Sequence, residues 1–588
     1  MAAEPVAADT PTYARGHGAG PGRKRLRAAG NWLAAPATLS TLAGAAIIVL
    51  VGLPVIFILL QAVFPDFARG SFAAPFSRFD ILTHNPRLVT QTANTLLLAG
   101  SVMLGCLVLG LPIGILRGLF RVPGARLWDV LFLVPFLIPP FIAAIAWMML
   151  LQRNGYLEGA LGFNLGGFLF TFAGVAFVMT LNLFPLVYFA VSRALEVVGG
   201  HYAAAARVSG AGPVRAFLLI TLPLSVPAIA ASLLIVFAMS IEEFGTPAAL
   251  AARTGFEVLV TGIYTRLSDY PIDLSGAAVG SVILMALVLA AFFLQNWLAT
   301  RRSYVVLTGK PAVLERAELG RWRLPALLLF AIVGAIGVVV PLFAIVATSL
   351  MDTIGGGLSL ANLGLRHYEA IFATGSRAGR AILTSGWLAV ATAVTTALIG
   401  GLVAVTVVRG QGRARQAMDA LSILPNAIPA IVLAVGVILF WNSPYLPVTV
   451  YGTAAILLVA YTAILLPYPI RYAIAQLRQM GGSLDDAARV AGASSAQTLG
   501  HVLLPLMAPA LIAAMMLVFA IASRELVASI MLAPAGMRTV GTFVFAQFEQ
   551  GSVQVGMAMS TIVIAITTGI LLAVNLWLAR RGANPFSG

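Results

Sequence analysis

Long apolar segments alternate with short polar loops along nearly the whole chain of 588 residues. At about 1.5 Å per residue, each segment is long enough to cross the roughly 30 Å hydrocarbon core of a bilayer as a helix. The pattern predicts an all-α, polytopic membrane protein with twelve transmembrane helices. The predicted spans are 40–64, 93–117, 127–152, 167–193, 223–244, 272–299, 322–351, 381–408, 417–441, 450–475, 506–531 and 552–579.

Composition supports this class and indicates the topology. Hydrophobic residues make up 60% of the chain, charged residues 10%, and the mean hydropathy is +0.97. The net charge of +15 would suit a nucleic-acid partner, but lysine and arginine concentrate in the loops on one side of the predicted membrane. This bias follows the positive-inside rule, so we expect cytoplasmic N- and C-termini, a lipid bilayer as partner and no nucleic acid.

An internal repeat divides the chain into two halves. Residues 199–228 align without gaps on 481–510, with 13 identities at an offset of 282. Residues 131–140 resemble 421–430 at an offset of 290. Each half contains an even number of predicted spans, so both halves enter the membrane in the same orientation, as parallel transporter repeats do.

The predicted domains follow from the spans and the repeat. They are a cytoplasmic basic tail (1–39), a first half (40–299) with a polar loop at 197–223, a cytoplasmic linker (300–321), a second half (322–580) with a polar loop at 479–505, and a C-terminal tail (581–588). We call the two polar loops the first and second repeated loops.

Each repeated loop is predicted to form a helix, a glycine turn and a second helix. In the second loop, Ser483 and Asp486 have the spacing of a capping box, and Gly492 suits a left-handed turn. Asp485 and Asp486 also complement the positive end of the helix dipole. Ser494 and Gln497 repeat the capping pattern at the next helix. Alanines on the first helix allow close approach of another protein, and two loops indicate two copies of one partner. The alternative is an amphipathic hairpin lying on the bilayer.

These loops resemble those of the membrane-subunit family of binding-protein-dependent ABC importers. That family carries a cytoplasmic motif of Glu-Ala-Ala, three residues, Gly, nine residues, Ile, one residue and Leu-Pro, and both loops keep every spacing. The matching positions are Ala204, Ala205, Ala206, Gly210, Leu222 and Pro223 in the first loop and Asp486, Ala487, Ala488, Gly492, Leu504 and Pro505 in the second.

The resemblance implies a type I importer permease in a bacterial inner membrane, with two parallel six-helix repeats. It implies two copies of a separate ATPase subunit on the loops and a periplasmic solute-binding protein that delivers the cargo. The chain itself has no phosphate-binding GxxxxGK[ST] motif, since Gly309-Lys310-Pro311 lacks both the first glycine and the hydroxyl residue. We therefore expect no enzyme activity and no bound cofactor, with ATP used by the partner subunit.

The two loops differ at the acidic position of the motif. The second has Asp486, whereas the first has Ala204. In the family this acid helps to seat the loop in the ATPase, so the resemblance implies asymmetric coupling in which the second loop matters more.

Four charged residues fall near the ends of the fifth and eleventh predicted spans. They are Glu242, Glu243, Arg524 and Glu525. Twenty residues separate Pro223 from Glu243 and Pro505 from Glu525, which places both glutamates near the outer end of a crossing of about 30 Å. Two interpretations are open, a substrate pathway with its mouth on the outer side or ordinary interfacial charges.

The cargo is less well defined by the sequence. The chain resembles the fused double permeases of the ferric-iron uptake group in its length and in the segment Glu242-Glu243-Phe244-Gly245-Thr246-Pro247. Permeases for thiamine, 2-aminoethylphosphonate and polyamines are the alternatives. A secondary transporter driven by an ion gradient is the competing class, but it leaves the duplicated loops unexplained. The five histidines are scattered over different loops and the single cysteine, Cys106, lies in a span, so no metal site is predicted.

Glycine and proline predict details of the packing. Gly110, Gly114 and Gly118 place small residues on one helix face, where a neighbouring helix can approach closely. Prolines within the third and ninth spans predict kinks there. They are Pro135, Pro139, Pro140, Pro425 and Pro429.

Overall fold

The computed structural model describes residues 36–80, 86–198, 210–251, 254–301, 316–410, 412–480 and 483–580. In these ranges the chain is helical, and its β-structure is limited to two isolated bridges. The all-α class is confirmed. Most of the predicted basic tail, most of the linker and the C-terminal tail lie outside the described residues.

The α-helices of the first half are α1 (Pro36–Ile47), α2 (Leu53–Val63), α3 (Pro86–Leu119), α4 (Ala125–Leu137), α5 (Pro140–Leu151), α6 (Tyr156–Leu161), α7 (Gly166–Leu169), α8 (Phe172–Val198), α9 (Pro213–Ala216), α10 (Leu222–Glu242), α11 (Gly245–Leu250), α12 (Leu259–Ser268) and α13 (Leu274–Arg301).

Those of the second half are α14 (Arg323–Gly334), α15 (Val340–Leu350), α16 (Arg366–Phe372), α17 (Arg377–Arg409), α18 (Gly412–Leu421), α19 (Ala430–Trp441), α20 (Ala454–Leu465), α21 (Pro467–Gln479), α22 (Ser483–Val490), α23 (Ser495–Gln497), α24 (Leu504–Ala522), α25 (Val527–Leu532), α26 (Val540–Gln550) and α27 (Val553–Arg580).

Most of the predicted spans appear as single long helices. Within the described ranges, nine helices are long and apolar enough to cross a membrane, or up to 11 when each of two bent pairs counts as one span. The ninth predicted span, 417–441, is instead divided into α18, a 3-10 turn at Leu424–Ala427 and the short apolar α19.

Proline divides the third and ninth spans more sharply than a kink. α4 and the helical segment that begins at Pro140 meet at 98°. Ile138 and Pro139 between them are extended, with ψ of 120° and 136°. Ile428 and Pro429 are likewise extended, with ψ of 120° and 145°. A residue before proline is driven out of the α region, so the helix ends there.

The predicted glycine face is a close helix contact. An added Cβ on Gly110 would lie 2.8 Å from the Cβ of Val187 on α8, and one on Gly114 would lie 2.8 Å from the Cβ of Val191. In the second half, an added Cβ on Gly400 of α17 would lie 2.8 Å from the Cβ of Pro469 on α21. Gly400 and Pro469 are the repeat equivalents of Gly110 and Val187, so the two halves share this packing.

The first span of each half packs against the opposite half. α1 lies on α17 and α2 lies on α19, where the rings of Phe57 and Phe440 are 5.1 Å apart. In the reverse direction, α15 packs on α5, and Phe330 of α14 stacks on Phe132 of α4 at 5.8 Å. Each half therefore holds an element of the other, an arrangement that the hydrophobic pattern did not predict.

Four π-helical turns mark equivalent places in the two halves. Each turn ends just before a residue that is followed by proline. Proline has no N–H, and its ring clashes with the carbonyl four residues earlier in an α-helix. The wider π-helical turn relieves this clash. The turns are Ile48–Gly52, Phe217–Thr221, Ala335–Val339 and Thr498–Leu503. They extend the repeat to the first span of each half.

Candidate functional site

The second repeated loop has the predicted helix–turn–helix form. α22 is followed by Gly492 at φ +79°. Ser494 and Gln497 form the predicted capping box, with Ser494 N donating to Gln497 Oε1 at 2.9 Å and Gln497 N donating to Ser494 Oγ at 3.4 Å. The left-handed glycine and this cap are confirmed. The side chain of Ser483, the predicted first cap, lies outside the described residues.

The helix after each glycine turn continues into a membrane span. In the second loop the helical segment runs unbroken through Ser495–Ala522, and in the first it runs through Val214–Glu242. Gly210 has φ +85° and α9 begins at Pro213, as the sequence predicts. Ala204, Ala205 and Ala206 of the first loop lie outside the described residues.

The exposed surface of α22 carries small residues and two aliphatic side chains, Leu484 and Val490. Asp486 and Ala487 are exposed, and Val490 is 90% exposed. Ala488 is half-buried, and nothing lies within 4 Å of the position that a Cβ on Gly492 would occupy. Small side chains at these exposed positions allow another protein to approach the α22 backbone closely.

The Leu-Pro steps of both loops lie directly after the π-helical turns. Pro223 and Pro505 are exposed, Leu222 is half-buried and Leu504 is 45% exposed. Each step is therefore at the base of its loop, on the helix that continues into the span.

Asp485, beside the motif aspartate, points into the molecule. Its Oδ2 lies 2.8 Å from Nε of Arg409, the last residue of α17, and the two side chains are 13% and 18% exposed. Sequence reasoning assigned Asp485 only to the helix dipole. The available signal was the adjacent pair of acids, because neighbouring residues on a helix point about 100° apart and face different surroundings.

The first half has a different ion-pair network at the base of its loop. Glu196, near the end of α8, accepts from Arg117 of α3 at 3.3 Å and also pairs with Arg316. Arg117 in turn bonds Asp129 of α4 at 2.7 Å. This network fixes the last turn of α8, immediately before the first repeated loop.

Two of the predicted pathway acids cap short helices. Glu243 Oε1 accepts from the backbone N–H of Thr246 at 3.1 Å, at the beginning of α11. Glu525 Oε1 accepts from the N–H of Ala528 at 3.2 Å, at the beginning of α25. Both acids satisfy the free N–H groups of a helix N-terminus, a structural role repeated in the two halves.

Arg524 joins the two halves. Its Nη2 donates to the carbonyl oxygen of Phe136 at 2.7 Å and its Nη1 donates to the carbonyl of Leu137. Both carbonyls belong to the last turn of α4, at the 98° break. Glu242 holds the position equivalent to Arg524 in the repeat, so the first half has no guanidinium at this place.

The charged cluster packs against the tenth predicted span. The backbone carbonyl of Glu525 accepts from the hydroxyl of Tyr461 at 3.4 Å, and Tyr461 is about two turns inside α20. Tyr468, just past the bend between α20 and α21, lies close enough to Glu242, Arg524 and Glu525 to interact electrostatically. After Glu525 the chain forms α25 and α26 before it enters the last span. The position of the two glutamates near the outer end of a crossing stays a prediction.

The cluster does not form a metal site of the usual kind. Among the residues that the structure describes, no group of three or more His, Cys, Asp or Glu side chains is placed to hold a metal ion. Cys106 is buried, with its Sγ 3.6 Å from the carbonyl oxygen of Thr180, and packs as a small apolar side chain.

The chain has two helical halves in tandem, with matched loops that continue into spans and a charged cluster between the halves. These features define a duplicated membrane permease. The chain belongs to the family described as binding-protein-dependent transport system inner membrane component, whose model matches residues 110–304 and 396–581. The two matches correspond to the two halves.

Relatives of known name support this membership. The chain is 28% identical to a ferric transport system permease protein of Actinobacillus pleuropneumoniae, over 82% of this chain and 70% of the relative. It is 30% identical to a putative ferric transport system permease protein of Haemophilus influenzae, over 80% and 74%. A sulfate transport system permease protein of Escherichia coli is 32% identical over 40% of this chain and 83% of the relative.

Proposed function

We propose that this chain is the membrane permease of an ATP-driven importer that receives ferric iron from a periplasmic binding protein and passes it into the cytoplasm. Two copies of a separate ATPase subunit dock on the repeated loops, which we now call the first and second coupling loops. Both termini are cytoplasmic, and ATP is hydrolysed only by the partner subunit.

Docking on the coupling loops is supported by their surface and their connections. α22 presents Asp486, Ala487 and Val490 outward, and the helix that follows Gly492 continues without a break through α24. A partner that moves α22 would therefore move the eleventh span with it. An amphipathic hairpin on the bilayer would not require this rigid connection, nor a second copy of the loop.

The cargo is supported by the extent of the similarity. The two ferric permeases match about four fifths of this chain and so include both halves, whereas the sulfate permease matches 40% of it. The charge of the cluster agrees with a cation, since it holds three carboxylates and one guanidinium. That guanidinium already donates to two carbonyl groups. This match across both halves is the observation on which the choice of iron depends.

Reconstitution tests the proposal. The permease would be purified with its ATPase, placed in proteoliposomes and given ferric iron on its binding protein. We expect iron uptake that requires ATP and stops with vanadate. Uptake driven by an ion gradient without ATP would establish a secondary transporter instead. ATP-dependent uptake of thiamine, 2-aminoethylphosphonate or a polyamine, but not iron, would keep the importer and change its cargo.

A further inference from the structure

Adjacent carboxylates of the second coupling loop have different surroundings. Asp486 is exposed, whereas Asp485 is turned inward onto Arg409, with Oδ2 and Nε 2.8 Å apart. The contact is an ion pair at the end of a helix, where a cation is also favoured by the helix dipole. Asp485 correspondingly lies in the first turn of α22, where an anion is favoured.

The ion pair lies in a partly enclosed junction. A cavity of about 110 Å³ adjoins it, lined mainly by aliphatic and hydroxyl side chains. Among the lining residues are Leu39, Val405, Thr406, Leu499 and Leu503. Limited access of water strengthens the attraction between the two charges relative to an exposed pair.

Arg409 connects the loop to the body of the second half. It ends α17, the 33-residue helix that packs along α21 and α24. α17 also supports α1 from the opposite half. A displacement of Arg409 therefore reaches three neighbouring helices.

The first half lacks the two charges that make this contact. At the repeat offsets, Arg409 corresponds to Leu119 and Asp485 to Ala203. At the base of the first coupling loop, Glu196 instead pairs with Arg117 of α3 and with Arg316 of the linker.

We propose that Asp485 and Arg409 are positioning residues that fasten the second coupling helix, α22, to α17. Movement that the ATPase imposes on α22 then reaches the membrane by two routes, the Gly492 turn with the helix that continues into α24 and the ion pair to α17. This inference rests on the proposed function, and it assigns Asp485 a task distinct from that of the motif residue Asp486.

The test measures ATP hydrolysed per iron transported in the reconstituted complex. The variants are Asp485→Asn, Arg409→Gln and the double substitution. Arg413→Gln, an exposed arginine on the neighbouring α18, is the matched control, and Arg409→Lys retains the charge. We expect each single variant to raise the ATP cost of transport about fivefold or more while the complex stays assembled. The double variant should be no worse than either single one, because both remove the same contact.

The results separate this inference from the proposed function. Wild-type ratios in both single variants, or additive losses in the double variant, would overturn the positioning role. A wild-type complex that hydrolyses ATP but moves no iron would instead overturn the proposed cargo. In that case the role of Asp485 and Arg409 would be tested by how strongly the cognate binding protein stimulates ATP hydrolysis in each variant.

A cross-link tests whether a covalent link can replace the ion pair. Arg409→Cys and Asp485→Cys, combined with Cys106→Ala, remove the pair, so the ATP cost of transport should rise as in the double variant. A short bifunctional reagent then fixes α22 to α17, and we expect the ATP cost to fall back towards the wild-type value, since the two helices move together. Loss of transport on cross-linking would show that the helices must separate and would refute the proposal.

Discussion

Arg524 Nη2 lies 2.7 Å from the carbonyl oxygen of Phe136, which is 388 residues earlier in the chain and in the other half. The contact follows from the proline pair that ends α4. The Phe136 carbonyl would ordinarily accept from the residue four positions later, which is Pro140 and has no N–H. Arg524 supplies the missing donor from across the interface, and its charge also complements the negative end of α4.

Removal of this donor should weaken the association of the halves. Arg524→Met keeps the length of the side chain but leaves two carbonyls without their charged donor. We expect a loss of about 1–3 kcal/mol, seen as a lower midpoint of thermal unfolding in detergent. Arg538→Met, at an exposed arginine of the same half, is the control. Equal midpoints for the two variants would contradict the role given to Arg524.

The glycine turns should be sensitive to substitution for conformational reasons alone. Gly492 has φ +79° and free space around it, so Gly492→Val strains the backbone without a steric clash. Left-handed backbone costs about 1–2 kcal/mol for an ordinary residue and more for a β-branched one. We expect the variant, and equally Gly210→Val, to lose binding of the ATPase subunit in co-purification.

A helical glycine of the same loop provides the control for this prediction. Gly500 also has no atom within 4 Å of an added Cβ, but its φ is not positive. Gly500→Val should therefore retain the ATPase. Loss of binding in both variants would point to the added side chain, rather than the turn, as the cause.

The motif aspartate tests whether the two coupling loops are unequal. Asp486→Ala gives the second loop the residue type that the first carries at Ala204. If Asp486 anchors the ATPase, the variant should lose most of its stimulated ATP hydrolysis and uptake in proteoliposomes. Ala204→Asp in the same background is the matched experiment and should restore part of the activity. Full activity in Asp486→Ala alone would show that the acid is dispensable and the asymmetry wrong.

The close contact between α3 and α8 should tolerate no additional atom. Gly110→Ala places a Cβ 2.8 Å from the Cβ of Val187, in backbone-to-backbone packing that cannot give way cheaply. Overpacking of this kind typically costs about 1–3 kcal/mol, so the unfolding midpoint should fall. Gly100→Ala, on the same helix with nothing within 4 Å, should be neutral or stabilising, because alanine favours the helix. Equal effects at the two sites would contradict the packing argument.

The features predicted from the sequence are those encoded by local chemistry. A left-handed turn at Gly492 follows from the residue and its spacing, and the contact at Gly110 follows from small residues at intervals of four. The extended break at Pro139 was underestimated as a kink, although two adjacent prolines remove consecutive donors. These elements needed no knowledge of what lies across the interface.

What the sequence did not predict depends on contacts between distant segments. The sequence left Arg524 as either a pathway charge or an interfacial charge, because nothing local indicates that its partners are carbonyls of the other half. Asp485 was assigned only to the helix dipole. Its partner Arg409 is 76 positions away in the sequence, so no local pattern indicates the ion pair. The packing of α1 and α2 on the second half is similarly invisible to a hydrophobic pattern, which identifies spans but not their neighbours.

The first half contains a pH-dependent contact at the beginning of α3, before the predicted span 93–117. Glu257 accepts from Arg87 at 2.5 and 2.8 Å and from Gln91 at 2.7 Å. The hydrogen bond from Arg87, followed by that from Gln91, lowers the pKa of Glu257 below its usual value. A lowered pKa stabilises the folded chain above the unfolded value of about 4.3, and the contribution disappears as pH falls through the folded pKa. Because both side chains are more than a third exposed, we expect at most about 1 kcal/mol at neutral pH.

Glu257→Gln measures this contribution. The variant should unfold at a slightly lower temperature than the wild type at about pH 7, and the two midpoints should converge as the pH falls below about 4. Arg87→Gln should behave in the same way, and the double variant should add little, since both remove one ion pair. A difference between wild type and Glu257→Gln that persists unchanged to acid pH would show that the substitution acts through packing and not through the charge.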